Sequence, residues 1–282
     1  MLRVALPNKG RLSEDVKQLF DDAGLPIRGR SERSLRARIG DYEALFVRAQ
    51  DIPEFVADGA ADVGITGWDL VTETNRSLTQ LLDLEFGRCR LVVAATEESG
   101  LTQLAQVAPG TRVATCFPGI TRRFFEQRGF AVQVVPVSGA AEIAPHLGIA
   151  DVVVDLTSTG STLQVNGLRE VETVLESSAR LVAREDAANR TETKDLTLAL
   201  SSVLRARGQR YLMANVPREG LAAVRECLPG LNGPTLSELM GGGRFVAMHA
   251  VVPADAVFRT VARLQGLGCE GILVTRIERL VP

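Results

Sequence analysis

Val152-Val153-Val154 constrains this chain more than any other stretch. Three β-branched residues stand in a row, closed by Asp155 and followed by a turn of hydroxyls and glycine. A run this short, with turn residues after it, reads as a strand buried on both faces. Such a strand needs a sheet covered by helices on each side, which is an α/β fold with a largely parallel sheet. Past Leu156 come Thr157, Ser158, Thr159, Gly160, Ser161 and Thr162, and the whole stretch Ala150–Leu168 reads ADVVVDLTSTGSTLQVNGL. A strand that runs into such a turn and then a helix start can aim several backbone N–H groups at one anion. Asp155, at the strand's C-terminal end, is badly placed for a phosphate. It is well placed for the hydroxyls of an attached sugar or for a metal ion, so a sugar phosphate is the first ligand to expect.

The same strand–turn–helix plan recurs from the start of the chain. Leu2–Leu6 reads as a strand, Pro7-Asn8-Lys9-Gly10-Arg11 as a basic turn, and Leu12–Ala23 as a helix with Ser13 as N-cap and Gly24 as C-cap. A glycine turn carrying Lys9 and Arg11 can hold a second anion. Ser34–Arg38 and Glu43–Arg48 flank Gly40-Asp41 as a hairpin. Asp51 as N-cap and Pro53 in the first turn open a helix that Gly59 stops. Ala61–Thr66 is a buried strand, followed by the Gly67-Trp68-Asp69 turn and a helix over Leu70–Thr74. Phe86–Ala95 is the strand from which the chain crosses into a second lobe. There Arg112–Thr115, Ala131–Val137 and Asp151–Leu156 are strands, and Thr121–Arg128 and Ala140–Leu147 are helices. Ligands in such sheets bind at the C-terminal ends of the strands, where all these polar turns lie.

Glu172–Ala183 is extended and returns to the first lobe. A polar connector over Asp186–Thr193 leads to a helix, Lys194–Arg207, with Leu196, Leu200, Val203 and Leu204 on one face. Crossing out and back makes two lobes with a cleft between them, residues 1–90 with 180–208 and residues 91–179. Residues 209–282 form a different unit: Tyr211–Val216, a helix over Glu219–Cys227, Thr235–Leu239, a Gly241-Gly242-Gly243 turn, Phe245–Val252, a helix over Ala254–Leu267, and Gly271–Ile277. That order, βαββαβ, is the ferredoxin-like arrangement. Trp68 and Cys116 fall in no motif and carry no assignment.

Charge narrows the partners. Lys and Arg number 32 against 34 Asp and Glu, a formal charge of -2, so there is no general attraction to nucleic acid or to an anionic membrane. Any phosphate site must be a local feature. No apolar run of about 18 residues occurs, and MLRVALPNKGRL is too short and polar for a signal peptide, so a cytoplasmic protein is expected. Cys89, Cys116, Cys227 and Cys269 lack metal-ligand spacing and read as reduced thiols. With only His146 and His249 present, no histidine-rich metal site is expected.

Five stretches in order, LPNKGRL (Leu6–Leu12), ADVGITGWDL (Ala61–Leu70), FGRCRLVVA (Phe86–Ala94), DLTSTGSTLQVNGL (Asp155–Leu168) and VAMHAVVP (Val246–Pro253), together resemble the long form of the ATP phosphoribosyltransferase family. The resemblance implies a two-lobed, periplasmic-binding-protein-like catalytic core with a ferredoxin-like regulatory domain. It implies that adenine N1 of ATP attacks C1 of 5-phosphoribosyl 1-pyrophosphate, releasing pyrophosphate with Mg2+ on it, as the first step of histidine biosynthesis. Such a transfer has an oxocarbenium-like transition state. It needs two polyanions aligned and a leaving group neutralised rather than a protein nucleophile.

By the same resemblance Thr157, Ser158, Thr159, Gly160, Ser161 and Thr162 hold the donor's 5-phosphate, and Asp155 takes the ribose hydroxyls directly or through Mg2+. Lys9, Gly10 and Arg11 face pyrophosphate or the ATP phosphates across the cleft, and Arg48, Gly67 and Asp69 line the same, first-lobe side of it. Histidine is implied as feedback inhibitor, with Thr235, Ser237, Met248, His249 and Ala250 as candidates for its pocket. Homo-oligomers, dimers that assemble into hexamers, are implied too. Two rivals stand: a non-catalytic two-lobed solute-binding protein, and a phosphoribosyltransferase with another acceptor base.

Overall fold

The computed structural model describes residues 1–27, 34–228, 233–240 and 242–281. The chain divides into two compact units, Met1–Asp21 with Leu25–Thr197, and Asp22–Gly24 with Leu198–Pro282. In the first unit the chain runs through β1 (Leu2–Pro7), α1 (Arg11–Asp22), β2 (Arg36–Ile39), β3 (Tyr42–Val47), α2 (Ile52–Ala57), β4 (Val63–Gly67), α3 (Trp68–Thr74) and β5 (Thr79–Asp83). It continues with β6 (Cys89–Thr96), β7 (Arg112–Thr115), α4 (Pro118–Gln127), β8 (Gln133–Pro136), β9 (Val152–Thr157), α5 (Ser161–Val165) and β10 (Leu168–Ser177). Then come β11 (Ala179–Ala183), α6 (Glu185–Ala188) and α7 (Thr191–Arg207), and α7 runs on into the second unit.

Two sheets result. One has six strands in the order β2-β3-β1-β4-β11-β5, the other five in the order β10-β6-β9-β7-β8. In the first, β1 is parallel to both β3 and β4; in the second, β7 is parallel to both β8 and β9. The valine run behaves as its composition requires. Val152 and Val154 enter one apolar cluster with Phe124 and Phe125, while Val153 enters another with Ala144 and Leu163. Alternate side chains of a strand point to opposite faces, and here both faces are covered.

The chain passes between the sheets twice, after β5 and again between β10 and β11. At the second crossing a single residue, Ser178, separates a strand of one sheet from a strand of the other. The expected extended segment Glu172–Ala183 is therefore two strands in two sheets. Other expectations also need correction. Helix α1 starts at Arg11, directly after Gly10 at φ +89°, so Ser13 lies inside it rather than capping it. Asp51 sits in a 3-10 turn with helical dihedrals and makes no side-chain cap. Ala140–Leu147 forms only a 3-10 turn at Ala141–Ile143, because Pro145 lacks the N–H a continuing helix needs. The expected polar connector, Asp186–Thr193, is taken up largely by α6 and the start of α7. Strand β5, unheralded by its TQLLD sequence, forms at a sheet edge by pairing with β11.

The second unit carries β12 (Gln209–Pro217), α8 (Leu221–Cys227), β13 (Thr235–Glu238), β14 (Phe245–Pro253), α9 (Val257–Gly266) and β15 (Glu270–Arg276). Its sheet order, β13-β14-β12-β15, with antiparallel neighbours, is the ferredoxin-like one. Leu212, Ala214 and Val216 of β12 and Val246, Met248, Ala250 and Val252 of β14 form one core with Val224 of α8 and Leu264 of α9. Gly241 of the expected glycine turn lies outside the described residues.

Candidate functional site

In the first sheet, three parallel strands end side by side. Pro7 of β1 pairs with Val47 of β3, and Asn8 donates its backbone N–H to the Val47 carbonyl at 2.8 Å. The Lys9–Arg11 turn and Arg48 therefore emerge at one edge, all exposed, with the end of β4 on the other side of β1. Asp69, just past β4, differs from them. It is 5% exposed and its carboxylate accepts the Ser177 hydroxyl at 2.5 Å, while its own N–H donates to the same hydroxyl at 2.9 Å. Gly67 is packed so closely on Asp69 that a Cβ there would collide with the carboxylate. Gly67 and Asp69 thus build the junction between the sheets.

In the second sheet the turn after β9 is organised by its first hydroxyl. Buried Thr157 accepts the Gly160 N–H at 2.8 Å, which folds the turn back on itself. Gly160 sits at φ +82°, a region L side chains resist, and a Cβ there would stand 3.1 Å from Glu170 Oε1. Ser158, Thr159, Ser161 and Thr162 are left on the surface, with Thr159 and Ser161 sharing a 2.9 Å hydroxyl contact. The helix that follows, α5, has five residues, so its dipole is small. Hydroxyls and turn amides are the main donors this turn offers to an anion.

The two turns meet. The Arg11 guanidinium donates to Ser158 Oγ at 2.9 Å, across 147 residues of sequence. Beside them lies a cavity of about 350 Å3 lined by Asp83, Arg88, Cys89, Arg90, Ser158 and Arg180 among others. Two of its arginines are tied to carboxylates, Arg180 to Asp83 at 2.9 Å and Arg90 to both oxygens of Glu170 at 2.7 and 2.9 Å. Arg88, Arg90 and Arg180 went unassigned from sequence. Their signal was present only as arginines inside a matching stretch and a returning strand. Burial, with the Asp69 carboxylate nearby, pushes the Cys89 thiol up, so it is held protonated.

Asp155 lies half-buried at the end of β9. Burial is the main cause that raises its carboxyl above the ordinary range, and the Glu142 carboxyl beside it adds to the shift. The Leu156 N–H, donated to Oδ1 at 2.8 Å, pulls the other way. Glu142 comes from the turn after β8 and had no local sequence signal. Two adjoining carboxyls suit the vicinal hydroxyls of a sugar, or hard-oxygen coordination of a divalent cation. Among the described residues, no three His, Cys, Asp or Glu side chains gather as a metal cluster.

In the second unit, Thr235 and Ser237 of β13 pair with His249 and Ala247 of β14. The His249 ring lies 5.4 Å from that of Tyr211 on the sheet face away from the helices. Met248 and Ala250 are buried in the core on the opposite face. A ligand touching Thr235, Ser237 and His249 cannot also touch the side chains of Met248 and Ala250. Period-two alternation in VAMHAVV carried that information.

Comparison with known proteins supplies the chemistry. A family model described as ATP phosphoribosyltransferase matches residues 48–202, and one described as HisG, C-terminal domain, matches residues 206–279. The ATP phosphoribosyltransferase of Gemmatimonas aurantiaca is 68% identical over 292 residues, covering all of both chains. That of Haloarcula marismortui is 50% identical over 283 residues, covering 99% of this chain and 100% of its own. A solved ATP phosphoribosyl transferase (HisG:HisZ) complex from Thermotoga maritima superposes with a TM-score of 0.64 at 29% identity, covering 73% of this chain and 99% of that chain.

Proposed function

The chain belongs to the ATP phosphoribosyltransferase family, and on that premise we propose how its cleft passes the phosphoribosyl group from 5-phosphoribosyl 1-pyrophosphate to N1 of ATP. The protein is a transferase of the first step of histidine biosynthesis, and the reading as a non-catalytic solute-binding protein is not favoured. In the proposed site the Thr157–Thr162 turn holds the donor's 5-phosphate, and Asp155 with Glu142 holds its ribose hydroxyls. Lys9, Gly10, Arg11 and Arg48 face the pyrophosphate or the triphosphate of ATP. The arginine-lined cavity beside Ser158 takes part of the second substrate. One observation carries this reading: Arg11, from the basic turn, touches Ser158, from the hydroxyl turn, so two anion-binding turns converge on one point.

The residues present can do what the chemistry asks. Guanidinium groups and turn N–H donors offset the charge that gathers on the departing pyrophosphate, and they are already in place before the bond breaks. The two turns fix the approach of N1 to C1, turning an encounter of two polyanions into a reaction inside one complex. A pair of hard carboxyl oxygens is the donor set that suits Mg2+ shared with substrate oxygens. Asp155 is the side chain that would face such an ion, which would add to neutralisation of the leaving group. Three functional regions are part of the proposal: residues 1–90 with 180–208, residues 91–179, and residues 209–282. The last would bind histidine as an inhibitor through Thr235, Ser237 and His249 and take part in self-assembly. A cytoplasmic setting fits the reading; among the described residues, no helix is long and apolar enough to cross a membrane.

The test is direct. The protein incubated with ATP, 5-phosphoribosyl 1-pyrophosphate and Mg2+ should produce a near-ultraviolet absorbance increase, with pyrophosphate released in equal amount. Absence of turnover, alongside tight binding of one small solute, would overturn the site reading. Competition among nucleotides separates ATP from any other base as acceptor.

A further inference from the structure

By chain order α3 follows a strand of the first sheet and packs on α2 and β4 there, yet it also reaches α4 and β10 of the second. Leu70 packs on the cluster that contains Phe117, Ile120 and Phe124. Glu73 reaches the first turn of α4, where its carboxylate oxygens accept the N–H groups of Gly119 at 2.7 Å and Ile120 at 2.8 Å. Arg123, one turn on, donates back to the Thr72 carbonyl at 2.5 Å. A Cβ on Gly119 would stand 3.0 Å from both the carbonyl and a carboxylate oxygen of Glu73, so the approach is as close as a glycine allows.

The first N–H groups of a helix lack partners within it, and a carboxylate is a favoured partner for charge as well as geometry. What is unusual is the source: this cap is supplied from 46 residues away, by an element that follows the other sheet. Helix α4 follows β7, the parallel neighbour of β9, so whatever fixes α4 also fixes the turn that carries Ser158. Two strand crossings alone would leave the sheets free to rotate about that junction. Trp68 donates its N–H to the Ser178 carbonyl at the second crossing, and Glu73 lies five residues further along α3, about 7.5 Å by helical rise, so it ties the sheets at a point displaced from that crossing.

We propose that Glu73 is a positioning residue: by capping a helix of the second sheet from an element that follows the first, it sets the angle between the sheets, and thereby the approach of Arg11 to the hydroxyl turn. This rests on the proposed reading of the cleft as the transfer site, but one of its tests needs no substrate. Three variants of the full chain decide it. Glu73→Ala should lower kcat at least tenfold while changing KM for either substrate less than threefold, and should speed amide hydrogen exchange at Gly119 and Ile120. Glu73→Gln keeps one acceptor oxygen and should recover most of kcat. Gly119→Ala raises helix propensity but crowds Glu73, and should lose activity without losing thermal stability.

A kcat within twofold of wild type in Glu73→Ala would overturn the proposal. So would equal losses in Glu73→Gln and Glu73→Ala that follow a fall in melting temperature, since that marks a purely structural cap. Should Glu73→Ala not fold, the kcat values and melting temperatures of Glu73→Gln and Gly119→Ala separate a positioning role from a structural one. Should the wild-type protein itself fail to turn over, the site reading falls, and exchange at Gly119 and Ile120 still reports whether Glu73 holds the two sheets together.

Discussion

The role proposed for Asp155 would be served at the expense of stability. Burial, aided by Glu142, raises its carboxyl above the value it has in the unfolded chain. The folded state then binds that proton more tightly than the unfolded one. Its stabilising effect is complete below the unfolded value and is lost as pH rises through the folded one, leaving the cost of a half-buried carboxylate, offset in part by the Leu156 N–H, at neutral pH. Asp155→Asn should therefore raise the melting temperature at neutral pH and flatten its decline between mildly acidic and neutral conditions, while turnover falls by orders of magnitude. A variant with lower stability, or with wild-type turnover, would remove Asp155 from this role. Arg11 is the complementary case. It is exposed, its contact with Ser158 contributes little to folding, and Arg11→Ala should leave the melting temperature within a degree or two. Steady-state kinetics should show kcat/KM for 5-phosphoribosyl 1-pyrophosphate reduced at least tenfold, because a charge-assisted hydrogen bond from a guanidinium to a polyanion is hard to replace.

The elements show what local pattern can and cannot reveal. Strand β9 was legible because its apolar run is unbroken and β-branched, and burial on two faces follows directly from that. The turn after it was legible because hydroxyls and glycine leave few other structures. Its tightness rests on one position. Gly160→Ala would place a Cβ at φ +82° and within 3.1 Å of Glu170, at a cost of roughly 1–2 kcal/mol. Calorimetry or melts should find that loss, and KM for the phosphoribosyl donor should rise as the turn opens. Strand β5 was not legible. TQLLD has no alternation of its own and becomes a strand because β11 offers a free edge. The Ala140–Leu147 segment misled for a related reason. Its apolar spacing suggested a helix, but Pro145 and the flanking glycines hold it to turns, and that is what brings Glu142 to Asp155.

At the scale of the whole molecule, the ferredoxin-like unit offers an open sheet face bearing Thr235, Ser237, His249 and Tyr211. If this is where histidine acts, adding histidine to the full chain should both slow turnover and raise the melting temperature, as any ligand selective for the folded state does. Ser237→Arg should abolish both responses together. Inhibition that persists in that variant would move the effector site elsewhere. Sequence by itself determined the parts that depend on neighbours along the chain: which strands are buried, where the polar turns fall, and the βαββαβ order of the last unit. Side-chain periodicity and turn chemistry act over a few residues, and those are read without a fold. Only the tertiary structure decided which parts meet. Arg11 found Ser158 and Glu73 found the start of α4 because two strand crossings bring the two sheets together, whereas Asp155 found Glu142 because β8 and β9 flank β7 in one sheet. No periodicity encodes such pairs, since they form only where the folded chain brings them within hydrogen-bonding range.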